Sequence, residues 1–218
     1  MKPLERRQFL ELREGAQVLE ADAYGEKVLQ LPDGTYLKLF RRKRLLTSAA
    51  LYPYAQRFAD NTGRLAHLGI PCPRILAVYR ITSIARDAVH YEPLPGQTLR
   101  QLMTEDSPEL RLRLALFIAK LHEQGIYFRS LHLGNIVLTP CGTFGLIDIA
   151  DLRCLDAPLS RRMRLRNFHH MLRYSQDSAW LLKDNSMAFI QAYVASSSIK
   201  LKAETFWQQL GLVDKPAP

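Results

Sequence analysis

The chain has only three cysteines in 218 residues, Cys72, Cys141 and Cys154, and no two of them form a C-x-x-C pair. An odd, widely spaced set argues against a disulfide framework or a zinc site; small packing residues in a reducing compartment are the expectation. Long hydrophobic runs are missing too. The longest candidate, "LRLALFIAKL", is interrupted by Arg113 and Lys120 and falls short of the roughly 18 apolar residues that a membrane span needs. The opening "MKPLERRQFLELREG" scatters charges where a signal peptide would keep a continuous apolar centre. A cytoplasmic protein without a membrane span is therefore expected. Glycine and proline are modest, and neither an internal repeat nor a low-complexity stretch is visible, which sets disordered and repeat architectures aside.

What is abundant is positive charge. Thirty Lys and Arg against 21 Asp and Glu give a net charge of +9, which favours polyanionic partners: nucleotides, nucleic acid, phosphorylated glycolipid or an anionic membrane face. Two clusters stand out, "RRKR" at 41–44 and "RRMRLR" at 161–166. The sequence shows no helix-turn-helix glycine pattern, zinc spacing or aromatic ladder, so a nucleic-acid partner is not expected.

Alternating apolar residues predict strands over 16–22, 26–31 and 35–40, separated by "AYG" and the turn signal "PDG". A helix is predicted from about Tyr52 to Leu68, ended by the prolines of "GIPCP", and two more strands over 74–81 and 87–94. After "PGQ" the pattern turns helical. Leu99 and Leu102 begin a short helix, and Ser107-Pro108 caps a longer one that reaches about Gln124 before Gly125. A strand pair over 136–139 and 144–149 is followed by predicted helices over 160–174, 186–195 and 203–210. The expectation is an α+β fold: a small antiparallel sheet with one helix over 1–94, and a mostly helical part over 95–218. Clefts between such parts are common ligand sites.

The chemistry concentrates in "YFRSLHLGNIVLTPCGTFGLIDIADLR", Tyr127 to Arg153. Asn135 at the start of one predicted strand and Asp148 near the end of its partner can converge. An amide oxygen beside a carboxylate suits Mg²⁺ carrying substrate phosphates.

"FRSLHLGN" and the following "LIDIAD" resemble the catalytic loop H-G-D-L-H-P-G-N and the metal-binding segment of the eukaryotic-like kinase superfamily. The likeness is to its small bacterial forms, the aminoglycoside-phosphotransferase-like and especially the lipopolysaccharide (Kdo/heptose) kinase-like proteins. It covers roughly residues 16–155. It implies a bilobal kinase-like fold, ATP and Mg²⁺ as cofactors, and transfer to a sugar hydroxyl of the lipopolysaccharide inner core at the inner membrane face. It also implies that Lys38 in "YLKLF" pairs with nucleotide phosphates, that Asn135 and Asp148 hold the metal, and that the backbone of Glu92–Gly96 reads the adenine edge. Gly25, in the break between the first two strands, would let backbone amides approach phosphate.

The chain also departs from that pattern. Ser130 stands where the catalytic Asp accepts the substrate proton, and a serine hydroxyl is no base near neutral pH. Phe128 replaces a His, and Asn61 replaces the helix Glu that pairs with the lysine, with Asp60 beside it. His132 could titrate near neutrality, or brace the loop as the motif's own histidine does. Asp151 could reach the site or cap the next segment. The arginines Arg161, Arg162, Arg164 and Arg166 could dock a phosphorylated sugar or form a solvated face. Two functions remain open from the sequence: a phosphotransferase, and a pseudokinase that binds nucleotide or a partner without transfer.

Overall fold

The computed structural model describes residues 1–42, 52–103, 106–183 and 187–212. The fold is mixed α+β and divides into two compact units. The first comprises Met1–Pro95 with Leu146–Asp151, and the second Gly96–Gly145 with Leu152–Pro218.

In the first unit the alternating residues build a six-stranded sheet. Its strands are β1 (Lys2–Pro3), β2 (Gln17–Asp22), β3 (Gly25–Gln30), β4 (Tyr36–Arg41), β5 (Arg74–Ile81) and β6 (Arg86–Glu92), in the order β1-β5-β6-β4-β3-β2. β1 runs parallel to β5, and the remaining pairings are antiparallel. One face buries Leu29, Leu37, Leu39, Ile81 and Ala88 against Phe9 of helix α1 (Arg6–Leu12). The sequence pattern missed α1, because seven residues with a single buried aromatic leave almost no periodic signal.

Helix α2 (Tyr54–His67) buries Ala55, Phe58, Asn61, Thr62 and Leu65, a stripe at the three- and four-residue spacing of one helical face. Its Phe58 ring packs beside Phe40 of β4 and Tyr91 of β6, with centroids 6.3 and 5.4 Å away. Gly63 lies on the exposed side, which is why it does not disturb the packing. The Leu146–Asp151 segment joins this unit, with the Leu146 amide donating to the Pro71 carbonyl at 2.9 Å.

The second unit holds β7 (Gln97–Thr98), α3 (Leu99–Leu102), α4 (Pro108–Glu123), β8 (Ile126–Phe128), β9 (Ile136–Leu138), β10 (Phe144–Leu146, its last residue in the first unit), β11 (Leu152–Cys154), α5 (Arg161–Met171), α6 (Ser175–Leu181), α7 (Ala188–Ala195) and α8 (Ala203–Gln209). Small sheets form in the orders β10-β9-β7 and β11-β8. Gly96 enters β7 at φ 130°, and a side chain there would sit 2.2 Å from the Leu138 carbonyl, so only glycine fits that approach to β9. α4 starts at a serine cap: Ser107 Oγ accepts from the Leu110 amide at 3.3 Å, and Pro108 follows. The core gathers Phe168, Phe189, Tyr193 and Phe206 in edge-to-face contacts.

Two predicted elements change. The helix expected over 160–174 stops at Met171, and a separate α6 begins at Ser175. The strand expected over 144–149 stops at Leu146, because Asp148 adopts φ +53°, a left-handed conformation incompatible with extension. Part of the "RRKR" cluster, residues 43–44, and Ser186 lie outside the described residues. Among the described residues no helix is long and apolar enough to cross a membrane.

Candidate functional site

Lys38 sits at the middle of β4, between Val28 of β3 and Val89 of β6. Its ammonium is 2.6 Å from Asp148 Oδ1, although 110 residues separate the two in sequence. The lysine side chain is only 12 % exposed and the aspartate side chain 48 %, so the pair offers a carboxylate to solvent from a shielded cation. Asp148 can take its left-handed turn because a short polar side chain tolerates that conformation, and the turn exposes Asp148 while Ile149 is buried.

Asn61, in the position where the kinase resemblance expects a glutamate, is buried, and its Nδ2 donates to the Ile149 carbonyl at 2.8 Å. It thus anchors the backbone next to Asp148. Asp60 accepts from the Tyr52 hydroxyl at 2.6 Å and from Gln56 Nε2 at 2.8 Å.

The charges around Asp148 are coupled. The Lys27 ammonium pairs with Glu20, which raises its pKa, and Asp148 adds a smaller push in the same direction. Burial raises the Tyr91 phenol above its ordinary range, again with help from Asp148.

Gly25 closes a two-residue turn between β2 and β3. The Asp22 carboxylate accepts from the Tyr24 amide at 2.8 Å, and the Tyr24 carbonyl accepts from Arg86. The Arg41 guanidinium lies 3.6 Å from the centre of the Tyr24 ring. Gly25's φ of 110° serves a tight, pinned hairpin. Glu92 ends β6 with its carboxylate on the Arg74 guanidinium (Nε to Oε2 2.6 Å), which lowers its pKa. Any recognition by the 92–96 segment falls to its backbone.

In the second unit, Ser130 follows β8 in a turn, and its carbonyl accepts from Asn135 Nδ2 at 2.9 Å. Asn135 is 8 % exposed and closes a short 3₁₀ turn, Leu133–Asn135, immediately before β9. The His132 ring stands edge-on to Tyr174, centroids 5.3 Å apart, and its ring atoms are 3.2 Å from where a side chain at Gly134 would begin. The loop rests on a residue that the sequence pattern leaves unmarked. Asp177 of α6 is fully buried; it accepts from Arg100 at 3.1 and 2.7 Å and from the Leu133 amide at 3.0 Å.

The arginine stretch divides. Arg162 and Arg166 are exposed, and Arg161 Nε donates to Gln209. Arg164 corrects the expectation of a docking role. It is 2 % exposed and donates to the Leu159 carbonyl at 2.7 Å and to Glu123 Oε1 at 2.9 Å. Its position falls in phase with the buried Asn167, Phe168 and Met171, so it faces the core.

A divalent cation carrying phosphates needs one or two hard oxygen donors, because water and phosphate fill the other positions. Asp148, half exposed and beside a lysine suited to phosphate oxygens, fits that requirement. Among the described residues no three Asp, Glu, His or Cys side chains form an all-protein cage, which this kind of binding does not need.

No family model matches the chain. It is similar to a probable serine/threonine-protein kinase of Corynebacterium efficiens: 28 % identity over 113 residues, covering 46 % of this chain and 16 % of that protein. The relationship is to the protein-kinase-like superfamily. It does not reach the lipopolysaccharide-kinase subfamily, and the chain spans about one sixth of the curated relative's length.

Proposed function

We propose that the chain is a phosphotransferase using ATP and Mg²⁺, and that it phosphorylates a sugar hydroxyl of the kind found in the lipopolysaccharide inner core. The observation that carries this reading is the Lys38–Asp148 contact at 2.6 Å. A buried-side lysine for the phosphates and an accessible carboxylate for the metal are the electrostatic parts that phosphoryl transfer depends on. Mg²⁺, when bound, would neutralise charge on the β- and γ-phosphates. Lys38 would orient the phosphates; Asp148, with Asn135 in the role its motif gives it, would hold the metal. The bond from the γ-phosphorus to the β–γ bridging oxygen breaks, and a bond from the acceptor oxygen to that phosphorus forms. The acceptor proton leaves to solvent or to a phosphoryl oxygen, since Ser130 cannot accept it. In a loose transition state little basic assistance is needed before the new bond is well formed.

A second reading, a pseudokinase that binds nucleotide without transfer, is favoured by two observations: a serine at position 130, and Asn61 engaged with the Ile149 carbonyl in place of an acid for Lys38. One experiment separates the two readings. Thermal unfolding with ATP and Mg²⁺ is paired with turnover on core saccharides. A stabilising shift with turnover that is lost in Lys38→Met and Asp148→Asn supports the transferase. A shift without turnover in the native chain, with turnover appearing in Ser130→Asp, supports the pseudokinase. Neither a shift nor turnover overturns both.

A further inference from the structure

The surface beside Ser130 carries a second concentration of cations, distinct from Lys38. Asn167 of α5 clamps β8: its Nδ2 donates to the Phe128 carbonyl at 2.5 Å, and the Phe128 amide reaches its Oδ1 at 3.5 Å. Arg129 directly follows β8, so the clamp holds its backbone next to the residue bonded to α5. Arg166 and His170 are four residues apart on that helix and share one face. Arg173 continues the turn, its amide donating to the His170 carbonyl at 3.4 Å.

Arg129, Arg166, His169 and Arg173 are all exposed, and Arg129, Arg166 and Arg173 form no ion pair among the described residues. His170 is partly buried, four residues after Arg166 on α5 and three before Arg173. Burial first, then the charges of Arg166, Arg129, Arg173 and His169, hold its pKa below the ordinary histidine value. Its Nε2 is buried without a hydrogen-bond partner among the described residues. A helix C-terminus attracts cations by its dipole, which accounts for His169, His170 and Arg173. It does not account for Arg129, which comes from another part of the chain.

We propose that Arg129, Arg166, Arg173 and His170 form a binding site for a phosphomonoester carried by the acceptor itself, so that the enzyme phosphorylates a molecule already bearing a phosphate. This rests on the phosphotransfer reading. Guanidinium forks match phosphate oxygens in pairs, and an unopposed cluster of like charges is relieved by a multivalent anion. Three exposed arginines, one directly after β8, one on α5 and one just beyond it, grouped around one helix end suit a small dianion better than an extended surface. Tyr174 links the cluster to the catalytic loop: Arg173 lies 5.8 Å from its ring centroid, and His132 packs on the same ring. Arg129 is also the sequence neighbour of Ser130.

The test titrates the full chain with glucose 6-phosphate, glucose, and vesicles of phosphatidylcholine with or without phosphatidic acid, all without nucleotide. Histidine ring resonances report binding, so the native protein alone is enough to decide the outcome. The expected result is saturable binding of the sugar phosphate that shifts the His170 signals, absence of binding by glucose, and affinity about tenfold weaker or worse in Arg129→Ala and Arg173→Ala. Lys38→Met should bind the sugar phosphate as the native chain does, so a failed nucleotide reading is distinguishable from a failed acceptor site. The proposal is overturned by equal affinity for glucose and its phosphate, by His170 signals that do not move, or by binding confined to phosphatidic acid vesicles.

Discussion

Asp148 combines a charge requirement with a backbone requirement, and the two can be separated by substitution. Its φ of +53° is tolerated by aspartate and asparagine, whereas alanine meets a steric penalty of about 1–2 kcal/mol in that region. Asp148→Asn should lose Mg²⁺-dependent nucleotide binding and, in urea unfolding, only the contribution of the Lys38 ion pair. Asp148→Ala should lose the same binding and unfold at a lower denaturant midpoint than Asp148→Asn, because the backbone penalty is added to the lost ion pair. Equal midpoints for the two variants would show that the turn is relaxed by its surroundings. Asp148 stands out in "LIDIAD" because a carboxylate there falls at a motif position, and that much is legible locally. Asp177 was not readable. Its partners Arg100 and Leu133 lie 77 and 44 residues earlier, and an acid in "SQDSAW" gives no sign of complete burial. Arg164 sits between these cases. A run of arginines reads as surface, yet its phase with Phe168 and Met171 points it inward.

At the scale of elements, the sequence was informative where termini carry chemical punctuation. α4 is an example, with Ser107 as cap and Pro108 at its first position. Ser107→Ala should cost about 1 kcal/mol in unfolding free energy, and Ser107→Asp should restore most of it. A loss of stability in both variants would place the contribution outside the cap. Elements set by tertiary context were harder to see. The pairs β7 with β9 and β8 with β11 are two or three residues long, below the length at which alternation becomes a pattern. The break between α5 and α6 has neither glycine nor proline to announce it. Three residues, Leu172 to Tyr174, redirect the chain and place Asp177 under the Leu133–Asn135 turn.

At the scale of the molecule, a buried polar network sets how stability responds to acid. His122 Nδ1 lies 2.8 Å from the Tyr193 hydroxyl and Nε2 3.1 Å from Asn167 Oδ1, so Nε2 donates and Nδ1 accepts in the neutral ring. Burial pushes its pKa down from 6.5 to about 3. Between those values the unfolded chain binds a proton that the folded chain does not, so stability is complete above pH 6.5 and falls below it. The slope approaches about 1.4 kcal/mol per pH unit, a loss of about 2 kcal/mol by pH 5. His90 and His170, whose pKa values are also lowered, add in the same direction. Urea midpoints at pH 7.5, 6 and 5 should decline accordingly, and the decline should flatten in a folded His122→Gln variant. A midpoint independent of pH over that range would place a proton on His122 in the folded state.

The first unit is interrupted: fifty residues, 96–145, intervene before Leu146–Asp151 completes it. During synthesis, the side of α2 that Asn61 serves must therefore wait for its covering segment. At roughly 5–20 residues per second that delay is about 3–10 s. Throughout it the surface that later buries Leu146, Ile149 and Ala150 lacks those residues. Translation speed across residues 96–145 thus becomes a determinant of yield, and slow codons there would lengthen the interval in which chaperones must hold the chain.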